Sequence, residues 1–444
     1  MGAEYLWRWS PELVYPDWRH PLYSYLLGLG ALDSYAQSAR LLNVLGMAFG
    51  GAACIYVSQI LRNPWLAVVT CTIWFFHPLL LDARDWINPY MLWGGVMLLS
   101  GACGWHMAKS NSKWTILATC VFGSVSLWLD GRTVWLLGFV GLWNVLHGQW
   151  CRTGLVSGGW ILAVILENQI LVRYEIELKS LIEQLELQRS FLFRDDLKFQ
   201  LFPAPDNVDY LVKVCSGATP QITSLNWACA RQMWVGNLQV WLDNGLLPPL
   251  WIVMVCIFGL GIFKKWRVLL LLILLLVPLG MSGLVWQPPR YLFWTLGGWV
   301  MCLGTAWFGF TTSNKFRWMM IPYVVGLVWW LWSAPMIDSV DQPKDWRTTG
   351  RLVSEQVGEV VLDCTGESFV LSQMSSRRPP AWSVLPQLDD CRRWMDDDSA
   401  KGWGVDTVLS NVLFKAPSGW EAVTGFDFQS GIVYMYQTDV SIRD

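Results

Sequence analysis

The sequence predicts an α-helical polytopic membrane protein of about ten spans, closed by a small C-terminal extracytoplasmic α/β domain. Three observations carry this. Of 444 residues, 54% are hydrophobic and only 15% are charged, whereas soluble domains carry about 25% charged residues. Ten stretches are apolar over most of a bilayer's thickness. The basic residues between them fall in alternate connections, the mark of a chain threaded back and forth through a membrane.

The first domain, residues 1–38, reads as an extracytoplasmic loop. It holds Glu4, Arg8, Glu12, Asp17 and Arg19 and no apolar core of a signal peptide. Pro21 suits a first helical position and opens a short apolar run, Leu22 to Leu27, too short to cross and expected to lie at the interface. The spans are expected over 39–61, 64–81, 89–108, 114–129, 132–148, 154–172, 246–263, 268–286, 291–310 and 318–334. Arg62, Lys109, Lys113, Arg152, Lys264, Lys265, Arg267, Lys315 and Arg317 occupy five connections without an acid among them. The positive-inside rule puts those five in the cytoplasm. Everything else then faces outward, both ends included. An outward start without a signal leads to the expectation of one further span upstream of this sequence.

The transmembrane domain, 39–334, contains a large outward loop, 173–245. It opens amphipathically with Ile176, Leu178, Leu181, Ile182, Leu185 and Phe191 among charged residues, and Pro203 and Pro205 end that pattern. A helix on the outer interface and a helix packed on an extramembrane domain both fit. The third domain, 335–444, is acidic: from Ser333 onward there are 17 acids against 10 basic residues. Strands are expected at Val357–Leu362, Phe369–Leu371, Asp406–Leu409 and Gly431–Gln437, and a helix at Arg347–Gln356. No glycine-rich nucleotide loop, Walker sequence or HExxH is present. The net charge of −2 gives no electrostatic footprint for nucleic acid, and no such partner is expected.

Cys54, Cys71, Cys103, Cys120, Cys256 and Cys302 lie within spans, as small apolar core residues, and Cys151 lies at a cytoplasmic edge. The other four form two outward pairs, Cys215 with Cys229 and Cys364 with Cys391. Disulfides are expected there, because the exterior is oxidising and neither pair has zinc-ligand spacing.

With this orientation the polar outliers collect on one side, close to the membrane: Glu4, Asp17, Arg19, His20, Asp82, Arg84, Asp85, Asp130, Arg132 and Arg290. Arginine's fork matches phosphate oxygens, and a carboxylate can take the proton from an attacking hydroxyl. Interfacial anchors and salt bridges would use the same residue types.

The order of the pieces resembles a family. Ala3-Glu4-Tyr5-Leu6-Trp7, Asp17 to Leu27, Ala39-Arg40-Leu41-Leu42, His77-Pro78-Leu79-Leu80-Leu81-Asp82-Ala83-Arg84 and Asn88-Pro89-Tyr90-Met91-Leu92 follow one another. That order is similar to the N-terminal part of the polyprenyl-phosphate-dependent glycosyltransferases of GT-C type, among them protein O-mannosyltransferases and aminoarabinose transferases. Pro288-Pro289-Arg290-Tyr291 resembles the family's late Arg-Tyr, and Asp345-Trp346-Arg347 the start of its tail. The resemblance implies a transferase at the outer face of the plasma (inner) membrane. The donor is then a sugar on a polyprenyl phosphate, and the acceptor an envelope lipid, polysaccharide or protein. It further implies that Glu4 or Asp17 is the base, and that Arg84 and Arg290 hold the donor phosphate with Arg19 and His20 assisting. Asp82, Asp85 and Tyr90 would orient acceptor or base, the two aspartates binding a divalent cation if the reaction uses one. No other cofactor is implied. Two departures matter: Ala3-Glu4 stands where the family has Asp-Glu, and His20-Pro21-Leu22 has one proline where two are usual. An inactive scaffold in envelope-polysaccharide assembly is the alternative that Ala3 favours. A lipid or solute transporter is the other, but the spans carry few interior charges. Glu167 is the main exception, beside Asn168 and Gln169 near the outer end of its span.

Overall fold

The computed structural model describes residues 20–29, 35–83, 89–178, 183, 227–262, 293–333, 360–364, 381–384, 406–428 and 431–438, apart from 111, 244, 411, 412 and 417. The chain divides into two compact units, Met1–Leu26 with Arg40–Ile337, and Leu27–Ala39 with Asp338–Asp444.

The helical part begins with α1 (Pro21–Leu29), opened by Pro21 as expected, and α2 (Tyr35–Ile60). There follow α3 (Pro64–Phe76), α4 (Pro78–Ala83), α5 (Tyr90–Met107), α6 (Lys113–Leu129), α7 (Val134–Leu146) and α8 (Trp150–Arg173). Next come α9 (Trp227–Asp243), α10 (Leu250–Ile262), α11 (Phe293–Thr312) and α12 (Met320–Ser333). Nine of the ten expected spans carry helix, and the tenth, 268–286, lies outside the described residues. Helix α9 falls inside the large outward loop. Among the described residues, Gln37–Ile60 and Trp150–Arg173 are long and apolar enough to cross a bilayer.

One expected span is broken. Asn63 caps α3, its Oδ1 accepting from the Leu66 amide, and Pro64 occupies the first turn. The helix stops at His77, whose backbone is extended (φ −63°, ψ 129°) because Pro78 disfavours a helical residue before it. The His77 ring then supplies hydrogen bonds at the break. Nδ1 accepts from the Leu79 amide at 3.2 Å, and Nε2 donates to the Leu246 carbonyl at 3.1 Å. Trp330 stacks edge-on against the same ring at 5.6 Å and donates to the neighbouring Gly245 carbonyl at 3.0 Å. The turn before α10 is thus tied to both α12 and the α3–α4 break.

In lipid, apolar surface gives no drive for one helix to leave another's tails, so close approach and interhelical hydrogen bonds do the joining. Gly46 of α2 and Gly95 of α5 meet backbone to backbone, and a Cβ on either would collide with the other helix. Tryptophan N–H groups bond across helices: Trp74 to the Met47 carbonyl (3.0 Å), Trp128 to that of Ala163 (2.8 Å). Asn144 of α7 likewise donates to the Gly104 carbonyl of α5 at 2.9 Å. On α8 the buried residues are Val156, Trp160, Ala163, Glu167 and Leu171, one stripe at three- and four-residue spacing. Leu155, Ile161, Leu162, Val164, Ile165 and Val172 are exposed around it. A soluble helix would be polar there, so this surface suits lipid.

In the second unit, β1 (Val360–Asp363), β2 (Ala381–Val384), β3 (Thr407–Ser410), β4 (Trp420–Phe428) and β5 (Gly431–Thr438) form one sheet of order β2-β1-β3-β5-β4. The first three strands are parallel; β5 is antiparallel to β3 and pairs with β4 as a hairpin. Its core holds Leu362, Val408, Trp420 and Tyr436, with Phe414 stacked on Tyr436 at 4.3 Å. Strands at Val357–Leu362, Asp406–Leu409 and Gly431–Gln437 were expected within a residue or a few. β2 and β4 were not. In β4 the register shifts between Ala422 and Thr424, a bulge that interrupts the period-two pattern by which strands are read. The expected elements at Phe369–Leu371 and Arg347–Gln356 lie outside the described residues. The span cysteines and Cys151 are free thiols, as expected. Cys364 is disulfide-bonded; the side chains of Cys215, Cys229 and Cys391 lie outside the described residues, so both pairings stay expectations.

The α2–α5 crossing yields a stability prediction. Gly95→Leu should destabilise the protein by at least about 1–3 kcal/mol, the usual range for overpacking, because backbone has no rotamer with which to yield. Gly158→Leu, where a Cβ meets nothing within 4 Å, should leave the thermal midpoint in detergent unchanged. Equal midpoints for the two variants would refute the backbone contact.

Candidate functional site

Four charged side chains come together at the end of the helical unit where α6 turns into α7. The turn is Asp130-Gly131-Arg132-Thr133. Asp130 is extended and caps the short 3-10 turn Gly131–Thr133, its Oδ1 accepting from the Arg132 amide at 2.9 Å. The same carboxylate takes the guanidinium with both oxygens: Arg132 Nε donates to Oδ1 at 2.9 Å and Nη2 to Oδ2. This fork is stronger and more directional than a neutral hydrogen bond. The guanidinium also lies over the rings of Tyr90 (5.3 Å) and Trp93 (5.0 Å), both on α5.

Under that layer the polar atoms are satisfied. Trp93 Nε1 donates to Thr133 Oγ1 at 2.7 Å, and the Thr133 hydroxyl donates to the Ser126 carbonyl at 2.9 Å. Ser126 Oγ lies 3.0 Å from the same hydroxyl. A turn fixed by so many buried bonds is a rigid platform.

His20, immediately before α1, completes the cluster from the N-terminal side. Its Nδ1 is 2.7 Å from Glu167 Oε1, and the two side chains are 18% and 8% exposed. Glu167 lies on the inner stripe of α8, so its carboxylate points into protein rather than lipid. Gly131 leaves room for the ring: a Cβ there would be 2.9 Å from His20 Nε2. Burial works against a charged imidazole, but the hydrogen bond and charge of Glu167, with the charge of Asp130, outweigh it and raise the pKa of His20; Arg132 opposes this weakly. For Asp130, burial favours the neutral acid. Arg132, through its charge and both its hydrogen bonds, overcomes that and holds the carboxyl below its ordinary range, with help from His20.

Of the residues singled out in the sequence, the structure brings His20 and Tyr90 into one cluster. Asp82 lies on α4, its side chain undescribed. Glu4, Asp17, Arg19, Arg84, Asp85 and Arg290 lie outside the described residues. Asp130 and Arg132 had been grouped with the outward charges and given no role. Glu167 had been set aside as lying near a helix end; its signal was a carboxylate inside a span, a functional hint by default. Among the described residues no group of acids, histidines and cysteines could hold a metal ion.

The pKa directions predict opposite pH limbs. His20 is raised above its usual 6.5, so its pair with Glu167 stabilises the fold fully below about pH 6.5 and ceases to do so as pH rises through the higher folded value. Asp130 is lowered from 3.8; its pairing stabilises above that value and is lost as pH falls through the folded one. Melting curves against pH should show the difference between wild type and His20→Gln largest below neutrality and vanishing at alkaline pH. Asp130→Asn should lower stability by about 1.5–3 kcal/mol at neutral pH, the loss of a charged hydrogen bond. A His20→Gln difference growing with pH would contradict the pairing.

No family model and no curated protein matches the chain. Among solved structures, it is similar to ArnT from Cupriavidus metallidurans bound to undecaprenyl phosphate. The TM-score is 0.57 and the identity 12%, over 99% of this chain and 92% of that one. A likeness of this length at such low identity is one of fold. The chain has an ArnT-like fold.

Proposed function

We propose that the protein is an integral membrane glycosyltransferase that moves a sugar from a polyprenyl-phosphate donor to an acceptor hydroxyl at the extracytoplasmic face. The observation that carries this reading is the fold match along nearly the whole chain to ArnT, whose structure was obtained with undecaprenyl phosphate bound. The order of family-like segments in the first hundred residues supports it independently.

In this reaction the acceptor oxygen attacks the anomeric carbon, its proton passes to Glu4 or Asp17, and the bond from that carbon to the phosphate oxygen breaks. Polyprenyl phosphate leaves as the anion. Arg84 and Arg290 hold the phosphate bidentately, with Arg19 and His20 assisting. Tyr90, Asp82 and Asp85 orient the acceptor, the aspartates also being where a divalent cation would bind. The acceptor is an envelope lipid, glycan or protein.

The sidedness has support from charge. Helix α6 starts beside the basic Lys109–Lys113 turn and ends at Asp130, so the His20–Glu167–Asp130–Arg132 cluster lies at the end of α6 opposite a cytoplasmic connection. Cysteine-accessibility labelling should find positions beside Lys113 and Lys264 cytoplasmic and positions beside Asp206 and Asp398 external. Lys264 and Asp206 on one side would remove this orientation.

A second reading, an inactive scaffold, is favoured by Ala3 in place of the family's first acid. Purified protein incubated with radiolabelled polyprenyl-phosphate sugars separates the two by transfer or donor hydrolysis. In an active protein, replacing the base among Glu4→Gln and Asp17→Asn should lower turnover about 10²–10⁴-fold while donor still binds. Arg290→Lys keeps the charge but loses the fork, and should weaken donor binding. Three variants that behave like an active wild type would place the chemistry on other residues, and a wild type that binds no donor leaves the scaffold.

A further inference from the structure

The cluster contains one pair that the reaction above does not explain. Asp130 and Arg132 neutralise each other, and the guanidinium is held further by Tyr90 and Trp93. His20 and Glu167 are joined separately, across 147 residues, by a 2.7 Å contact. The ring is not sealed: His20 keeps 18% of its side-chain surface and Glu167 only 8%. Glu167 therefore meets its partner from the protein side, while the ring has an edge open to a ligand. Gly131 lies beside Nε2, the nitrogen that Glu167 does not use, and a Cβ there would come within 2.9 Å of it.

We propose that Glu167 is a positioning residue for the donor: through its contact at Nδ1 it orients the His20 ring so that Nε2–H donates to a phosphate oxygen of the polyprenyl phosphodiester. This rests on the transferase reading and adds to it a residue from the interior of α8. With Glu167 satisfied at Nδ1, both ring nitrogens of the cation are donors, and only the second is left for substrate. A neutral ring bonded to the carboxylate through Nδ1–H would turn a lone pair to the phosphate, which repels it. Among the described residues, the charged groups that act on His20 are Glu167 from α8, and Asp130 and Arg132 from the turn between α6 and α7. Glu167 is the one that touches it.

The test is binding of methyl undecaprenyl phosphate to the full chain in nanodiscs across pH. A phosphodiester is chosen because a monoester's second ionisation, near pH ~6, would add its own inflection. Wild type should bind at neutral pH and lose affinity on an alkaline limb as His20 gives up its proton. Glu167→Gln keeps the side chain's size and an acceptor oxygen but removes the charge. It should move the limb toward acid by at least about one pH unit, the usual effect of an opposite charge at this range. Glu167→Asp should restore most of the wild-type profile, which a merely structural role would not demand. His20→Gln should remove the limb altogether and decides the matter if the Glu167 variants do not fold.

A limb unmoved in folded Glu167→Gln, or one that persists in His20→Gln, overturns the positioning role and leaves the transferase reading standing. A wild type that binds the diester at no pH overturns the transferase reading itself, and this inference with it.

Discussion

A carboxylate on the inner face of a span is the constraint from which the arrangement around the site follows. Glu167 cannot face lipid or an apolar neighbour as an unpaired anion without a large desolvation penalty. His20 meets that requirement at 2.7 Å, from a segment far away in sequence. The contact holds the start of α1 against α8, and it needs Gly131 because a side chain there would strike the ring. Gly131 in turn sits between Asp130 and Arg132, whose fork shapes the turn. The acid in α8, the ring before α1 and the tight turn after α6 therefore depend on one another.

The rest of the helical unit is joined by devices that do not need water to drive them. Indole N–H groups reach carbonyls of neighbouring helices at Trp74 and Trp128 and of the Gly245 turn at Trp330, and Trp93 reaches a hydroxyl. The chain's 32 tryptophans are thus more than an interfacial belt: several combine a large apolar ring with one polar handle at a helix crossing. Glycines work in the complementary way, by letting backbones or rings approach. The two devices meet at Gly50, which makes room for the Trp74 ring that bonds one turn earlier on α2.

The break at His77 shows how a motif can be structural and still bear on the site. In the sequence, His77-Pro78 belongs to a run resembling a family signature. In the structure its ring is buried and both nitrogens are occupied by backbone partners, so it fastens the Gly245–Leu246 turn. Asp82, in the same run, lies on the short helix that Pro78 opens.

What the sequence by itself determined are the properties that one element carries alone. Long apolar stretches, basic alternate connections and proline helix starts place the helices almost wherever they occur, and Pro21 opens α1 as read. Three strands of the sheet were legible as short runs rich in Val, Leu and Tyr, β3 being buried at all four positions, whereas the bulge after Ala422 interrupted β4. His20 and Tyr90 stood out by their position in a family-like order, and both fall in the cluster at the α6–α7 turn. Only the tertiary structure decided which partners they have. The spacing between His20 and Glu167 carries no pattern, because contacts across 147 residues are set by how α8 turns its inner stripe and where α1 begins. Whether an acid within a span faces lipid or a histidine depends on packing that no single helix encodes.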